Sequence, residues 1–283
     1  MIPIGIITRN RPEYLDVTLR SLAGAELDAD QRLVVFDDAS DTLSAREYLY
    51  TPRVVRIGLH PQEQECWEAL GLEGVGRPTI RGIGGRVEVI RLSSNPVGVV
   101  NASCRAICHL FASHPQASGI FLIQDDVVFK ADWKQRMRDA AELALATKLP
   151  GVLAGMTLFR RPPRQNVYLT SERFVTAQCL YVPCEVFEAL SGWFHQPHDS
   201  ATLFDAQLCR QIHAHRFAVR LVHPFVCQHI GVQSLVHPRQ YWLLHGKSGR
   251  TGYEASPPYA LAGEVPQMLC QSRLQPLRGP VPL

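Results

Sequence analysis

A mostly parallel α/β sheet is the fold this chain predicts, and three features predict it. Short apolar runs alternate with amphipathic helical stretches through the first half, the pattern of repeated strand–helix units. Two of those runs, Leu33-Val34-Val35-Phe36 and Phe121-Leu122-Ile123, end in adjacent carboxylates, Asp37-Asp38 and Asp125-Asp126. Open α/β sheets carry their ligands at the carboxyl ends of the strands. Beyond the second acid pair the runs become shorter and less regular, which predicts a mixed second half to the sheet.

The elements follow in order. Residues 2–8 form the first strand, and Thr8-Arg9-Asn10-Arg11-Pro12 is the loop after it. Pro12 suits the first turn of a helix over 13–22, whose apolar face carries Tyr14, Val17, Leu19 and Leu22. A second strand is expected at 32–36 and a short helix, capped by Asp41 or Thr42, to about residue 49. Residues 54–57 read as a strand. The glycine-rich stretch 61–86 reads as a loop over the edge of the site. A strand at 87–92, the turn Asn95-Pro96-Val97-Gly98, a helix over 99–111 and a strand at 119–123 lead to the second acid pair. After it come a helix over 132–147, a strand at 151–156, a basic loop at 160–164 and a strand at 174–182. A short helix to residue 190, an aromatic and His-rich loop at 192–200, a helix over 201–213 and strands at 219–222 and 225–230 complete the pattern.

The chain has 283 residues, 46% of them hydrophobic, enough for one large α/β domain. We expect a single domain over residues 1–246, with a nucleotide half (1–126) and an acceptor half (127–246). A Pro- and Gly-rich tail follows over 247–283. A net charge of +3 does not by itself call for nucleic acid. The eight cysteines contain no C-x-x-C pair and read as buried thiols of a reducing compartment. No apolar run reaches the roughly 18 residues of a membrane helix, and no leader precedes the first strand. The expectation is a cytoplasmic protein with no membrane anchor.

Two acids at a strand terminus repel each other unless a cation or a donor sits beside them. The oxygen pair of Asp125 and Asp126 therefore suits a hard divalent ion, Mn²⁺ or Mg²⁺. Asp37 and Asp38 admit two readings, a helix cap with a turn or hydrogen bonding to a base or ribose. His229 is either a core histidine or a ligand. Asp205 is either an acid favoured by a helix N-terminus or a general base. Gly82-Ile83-Gly84-Gly85 lacks dinucleotide-binding spacing, and Gly246-Lys247-Ser248 lacks the first glycine of a P-loop.

Taken in order, these motifs resemble a nucleotide-sugar glycosyltransferase of the GT-A fold. The opening Ile6-Ile7-Thr8-Arg9-Asn10-Arg11-Pro12 with Leu19-Arg20-Ser21-Leu22 is similar to family 13 N-acetylglucosaminyltransferases and, more loosely, to family 2. Asp37-Asp38-Ala39-Ser40-Asp41 resembles the family 2 nucleotide motif. Asn95-Pro96-Val97-Gly98 with Asn101 resembles the segment before the metal strand. Gln124-Asp125-Asp126 stands where those families have a DxD-type motif, with Gln at a place where an acid is usual.

The resemblance implies a Rossmann-like, mostly parallel central sheet with a mixed acceptor-side half. It implies that Asp126 binds the metal and that Asp125 contacts the donor sugar or ribose. Asp37 and Asp38 would serve the nucleotide, with Asp38 facing uracil, and Thr8, Arg9 and Asn101 would line the donor pocket. Asp205 stands where a catalytic base is expected, with Asp199 in reserve, and His229 matches a late segment that touches the metal or diphosphate.

The expected activity is a metal-dependent, inverting transfer from a UDP-linked sugar to a hydroxyl on a glycan, a protein or a hydroxymethylated base in DNA. Arg160, Arg161, Arg164, Arg173, Arg210, Arg216 and Arg220 form either a phosphate-binding rim for such DNA or scattered surface charge. Two other classes compete. A nucleotidyltransferase normally opens with a Gly-rich phosphate loop, whereas Thr8–Pro12 contains no glycine. A non-catalytic sugar-binding module has no need for a carboxylate on the acceptor side.

Overall fold

The computed structural model describes residues 2–25, 32–50, 75–76, 87–146, 151–156, 167–169, 177–199, 203–222 and 225–229. The expected strand at 54–57, the basic loop at 160–164 and the tail from 247 lie outside them, as does all but 75–76 of the glycine-rich stretch.

The first half winds as the alternating pattern requires. Strands β1 (Ile4–Thr8), β2 (Leu33–Asp37), β4 (Val87–Arg91) and β5 (Gly119–Gln124) lie parallel in the order β4-β2-β1-β5. Every residue of β1 and β2 is buried, so these strands read as continuous apolar runs and not as alternating ones. The short β3 (Val75–Gly76) pairs antiparallel with β4 at the outer edge.

Beyond β5 the sheet becomes mixed. β9 (Cys179–Pro183) runs antiparallel between β5 and β7 (Gly151–Ala154). β10 (Ala218–Leu221) is parallel to β7, and β8 (Val167–Leu169) closes that edge antiparallel. Of nine strands, only β3, β9 and β8 run against the common direction. A separate pair, β6 (Val127–Phe129) with β11 (Cys227–His229), carries the chain away from the second acid pair. Strand pattern alone did not separate β6 from the run before it, nor find β8.

Helices cover both faces. A side chain on Gly5 would meet Leu110 at 2.7 Å, so α3 (Gly98–Ser113) lies against the face of the sheet that Gly5 and Phe36 share. Phe121 faces the other way. Its ring stands edge-on to buried Trp133, the first residue of α4 (Trp133–Ala146), with centroids 5.0 Å apart. α1 (Pro12–Gly24) packs on β6, and α2 (Leu43–Tyr50) lies beside α1. Pro12 occupies the first turn of α1, where a missing N–H costs nothing. The acceptor half adds α5 (Cys184–Ala189), α6 (Ser191–Phe194) and α7 (Phe204–Ala214). Cys104, Cys108, Cys179, Cys184, Cys209 and Cys227 are free thiols.

Candidate functional site

Both acid pairs sit at the carboxyl edge of the parallel strands, but they are held differently. Asp37 ends β2 and is wholly buried. Its Oδ1 accepts the Ser40 amide at 3.0 Å and its Oδ2 accepts the Tyr50 hydroxyl at 2.5 Å. Burial first, and then the Asp37 charge, push the Tyr50 hydroxyl well above its ordinary pKa, so it remains a donor. Asp38 reaches across to the start of α3, where Oδ1 accepts the Val97 amide at 2.7 Å and Oδ2 the Gly98 amide at 3.1 Å. A carboxylate at a helix N-terminus answers both the orphan amides and the positive end of the helix dipole. Gly98 is left-handed at φ 81°, a conformation that a glycine adopts without strain.

Asn10 ties the first loop to the second. At φ 54° it takes the left-handed form that Asn tolerates. Its side-chain oxygen accepts the Asp41 and Thr42 amides at 2.9 and 3.1 Å, and its own amide donates to Ser40 Oγ at 2.8 Å. The two residues before α2 are thus tied to the first loop. Arg9, beside Asn10, is half-buried, and its Nε finds no hydrogen-bond partner among the described residues.

Asp125 and Asp126 form the turn between β5 and β6 and are both buried. The cation they require is Arg11. One end of its guanidinium pairs with Asp125, while Nη1 donates to Asp126 Oδ2 at 2.7 Å and Nε to Asp125 Oδ2 at 3.3 Å. The Thr8 hydroxyl donates to the same Asp125 oxygen at 2.7 Å. Burial lowers the Arg11 pKa, but the charges of the two carboxylates outweigh it and hold the guanidinium above its ordinary value. Burial pushes the Asp125 carboxyl up to about 6, against the pull of Arg11 and with a further push from Asp126, so it is still ionised at neutral pH.

The backbone of the turn is fixed from below by α1. Thr18 Oγ1 lies 2.8 Å from the Asp125 carbonyl and accepts the Val127 amide at 3.1 Å, and Ser21 Oγ accepts the Phe129 amide at 2.6 Å. On the other side of β6, β11 sets His229 opposite Val127, so the backbone of His229 lies beside the residue that follows the acid pair.

The acceptor half meets this edge through Asn101. Its Oδ1 accepts the His198 amide at 2.8 Å, while its side-chain amide donates to the His198 carbonyl at 2.9 Å and to the Val97 carbonyl at 3.0 Å. The expected donor-lining residue is therefore bonded to the acceptor-side loop. Trp193 lies against His198, with ring centroids 4.7 Å apart, and stacks towards Phe204 at 6.5 Å. Asp205 follows in the first turn of α7, mostly buried. Asp199 is exposed. Arg220, counted in the possible phosphate rim, is buried at 6% exposure in the middle of β10 and cannot serve an external phosphate, whereas Arg210 and Arg216 are exposed. Arg160, Arg161, Arg164 and Arg173 lie outside the described residues.

No protein-family model and no curated protein matches the chain. Among solved structures it is similar to the mannosyltransferase PcManGT from Pyrobaculum calidifontis in complex with GDP-Man and Mn²⁺. Identity is 12% and the TM-score 0.53, over 96% of this chain and 68% of that one. The chain has the GT-A fold. Two structures of S. aureus TarS 1–349 are also similar at 13% identity: one with UDP-GlcNAc, TM-score 0.48 over 88% and 66% of the two chains, and one at 0.47 over 88% and 64%. The chain thus spans about two thirds of the length of these TarS structures.

The GT-A sheet places Asp125 and Asp126 at its ligand-binding edge. Their hard oxygen donors suit a divalent ion, and the register of β11 sets the backbone of His229 beside Val127. Among the described residues no group of three or more His, Cys, Asp or Glu side chains forms a ready cluster, and Arg11 holds both acids. The donor set fits a metal ion once the guanidinium has moved aside. Sequence reasoning asked for a cation or donor at this pair and did not find Arg11, although β1 and β5 are parallel neighbours and their carboxyl-end loops must meet.

Proposed function

We propose that the protein is a metal-dependent, inverting glycosyltransferase that moves a sugar from a nucleotide diphosphate donor, UDP-linked in the first instance, to an acceptor hydroxyl. The observation that carries this reading is the buried Asp125-Asp126 turn at the carboxyl edge of a GT-A sheet, beside Thr8 and Arg11. In this reading Asp126 and His229 hold Mn²⁺ or Mg²⁺, and Asp125 meets the donor's ribose or sugar. The bound ion supplies positive charge for the departing diphosphate.

The chain's own residues do the rest. Thr8 and Arg9 line the donor pocket, and the unsatisfied Nε of Arg9 is a donor suited to an anionic or carbonyl oxygen. Asp37 and Asp38 shape the uracil end. Each of their oxygens retains a second lone pair beyond the bonds already made, so Asp38 can accept from the uracil N3–H while it caps α3. Asn101 fixes the His198 segment, and with it the Trp193 side of the acceptor pocket, to the donor half. Asp205 accepts the proton of the acceptor hydroxyl. That oxygen forms its bond to the anomeric carbon as the bond to the diphosphate oxygen breaks on the opposite face, which inverts the centre.

The acceptor is a hydroxyl on a glycan, on a protein or on a hydroxymethylated base in DNA. No described helix is long and apolar enough to cross a membrane.

The test is hydrolysis of a panel of nucleotide sugars with and without Mn²⁺, repeated with each acceptor class. Manganese-dependent release of the nucleoside diphosphate is expected, and Asp205→Asn should bind donor as the wild type does while losing about 10²–10⁴-fold in turnover. No release from any donor under any condition overturns the assignment. Undiminished turnover of Asp205→Asn, with loss in Asp199→Asn, moves the base to Asp199.

A further inference from the structure

We infer that Arg11 is an exchangeable counter-ion: it neutralises Asp125 and Asp126 while the donor site is empty, and it passes to the donor's diphosphate when a divalent cation takes its place on the acids. The inference rests on reading the acid pair as the donor's metal site, and it adds the residue that couples metal binding to donor binding.

Three observations carry it. First, one guanidinium satisfies both acids, bonding Asp126 through Nη1 and Asp125 through Nη2 and Nε. A divalent ion placed on those oxygens would lie within a few ångströms of a fixed positive charge in a poorly screened site. The two cations therefore exclude each other.

Second, Arg11 is the N-cap residue of α1 and makes no cap hydrogen bond there. The positive end of a helix dipole disfavours a cation. Among the described residues its side chain bonds the two carboxylates and lies over the Tyr14 ring, 5.5 Å from the guanidinium carbon. The same helix end, with Arg11 beside it, is well placed for a phosphate.

Third, the backbone is fixed on either side. Pro12 locks the first turn of α1, and Asn10 is bonded to Ser40, Asp41 and Thr42. The movement is therefore confined to the Arg11 side chain, which is 18% exposed and can swing towards the open edge of the sheet. A guanidinium leaving a carboxylate pair for a diphosphate exchanges one bidentate anion for another.

This coupling has a thermodynamic signature. Metal alone must displace Arg11 with nothing to receive it, while metal and nucleoside diphosphate together provide the new partner. Each therefore raises the affinity for the other by the same factor.

The experiment is calorimetric titration of Mn²⁺ into the full chain, alone and with saturating UDP or GDP, for the wild type, Arg11→Gln and Arg11→Lys. For the wild type we expect weak binding of Mn²⁺ alone and at least about tenfold tighter binding with nucleotide. Arg11→Gln should bind Mn²⁺ alone at least about tenfold more tightly than the wild type, and its nucleotide coupling should shrink to what direct contact between the ion and the diphosphate supplies. Arg11→Lys, whose ammonium cannot bridge both acids as a fork does, should fall between them, and it decides the matter if Arg11→Gln does not fold. Equal Mn²⁺ affinity in the wild type and the variants, or a coupling factor undiminished by the substitution, overturns the exchange while leaving the donor site in place. Failure of every nucleotide to bind any of the three proteins overturns the donor-site reading and the exchange together.

Discussion

Two turns of this molecule share a sequence signature and differ in what they hold. Asp37-Asp38 and Asp125-Asp126 both end buried parallel strands at one edge of the sheet. The first pair is held by the amides of Ser40, Val97 and Gly98 and the hydroxyl of Tyr50, with the Arg91 guanidinium 3.9 Å from Asp37. The second is bridged by one long side chain, Arg11, with the Thr8 hydroxyl donating to Asp125. Bonds to backbone amides cannot be exchanged without unfolding a helix end. An ion pair with a long side chain can be exchanged for another ion. The comparison separates a pair anchored to the backbone from a pair bridged by one side chain.

The largest effect should come from the bridged pair. Asp126→Ala is expected to lower metal-dependent turnover at least about a hundredfold, since a metal's charge on a leaving oxygen is worth several kcal/mol. Mn²⁺-dependent UDP binding by calorimetry should vanish while the urea midpoint stays close to that of the wild type. Unchanged UDP affinity would remove Asp126 from the metal site.

The anchored pair should also affect stability. Asp38→Ala strips two amides of their acceptor at the start of α3 and should cost about 1–3 kcal/mol in urea unfolding. Donor affinity should fall further than the folded fraction alone requires, because Asp38 is also the proposed acceptor of the uracil N3–H. A variant as stable as the wild type would contradict the capping role.

Gly98→Ala probes the same helix start more gently. A left-handed φ of 81° disfavours a side chain, so about 1 kcal/mol of stability should be lost, again by urea unfolding. A stability gain would show that the turn can relax.

The smallest effect is a dependence on pH behind the scaffold turn. His109 stands edge-on to Phe36, the residue before Asp37, with ring centroids 5.5 Å apart. Burial first, and then the nearby His114, lower its pKa to about 4. The unfolded chain therefore takes up a proton near the ordinary value of about 6.5 before the folded one does. The stability from neutral His109 is fully present above that pH and is lost as pH falls towards 4. Urea unfolding at a series of pH values should show this decline, and His109→Gln should flatten it. An identical decline in the variant would assign the effect to another group.

Much of the fold was legible because buried parallel strands leave continuous apolar runs, as in β1, β2 and β5. The acid turns were legible for the same reason, since an apolar run that ends in two carboxylates marks a sheet edge. What escaped were contacts set by topology. Arg11 meets Asp125 only because β1 and β5 are neighbours, and no local spacing encodes a partner more than a hundred residues away. The three-residue strands β6 and β8 are too short for a periodic signal, whereas β11 falls within the strand expected at 225–230. Asn101 read as a donor-pocket residue, but its hydrogen bonds all go to backbone groups at Val97 and His198. In α1, Thr18 and Ser21 interrupt an otherwise apolar buried face, which looks like weak patterning until β6 is seen beneath them.

Those two hydroxyls have a consequence for how the molecule behaves in concentrated solution. A strand with unpaired amides is a template on which a second chain can add itself. β6 pairs with β11 along one side, and along the other the amides of Val127 and Phe129 are taken up by Thr18 and Ser21. The helix acts as a selvage that stops the weave from growing, so a short strand can stand next to the acid turn without recruiting a neighbour. The same Thr18 oxygen bonds the Asp125 carbonyl, so Thr18→Val, which keeps the shape but removes the oxygen, would free the Val127 amide and loosen the acid turn together.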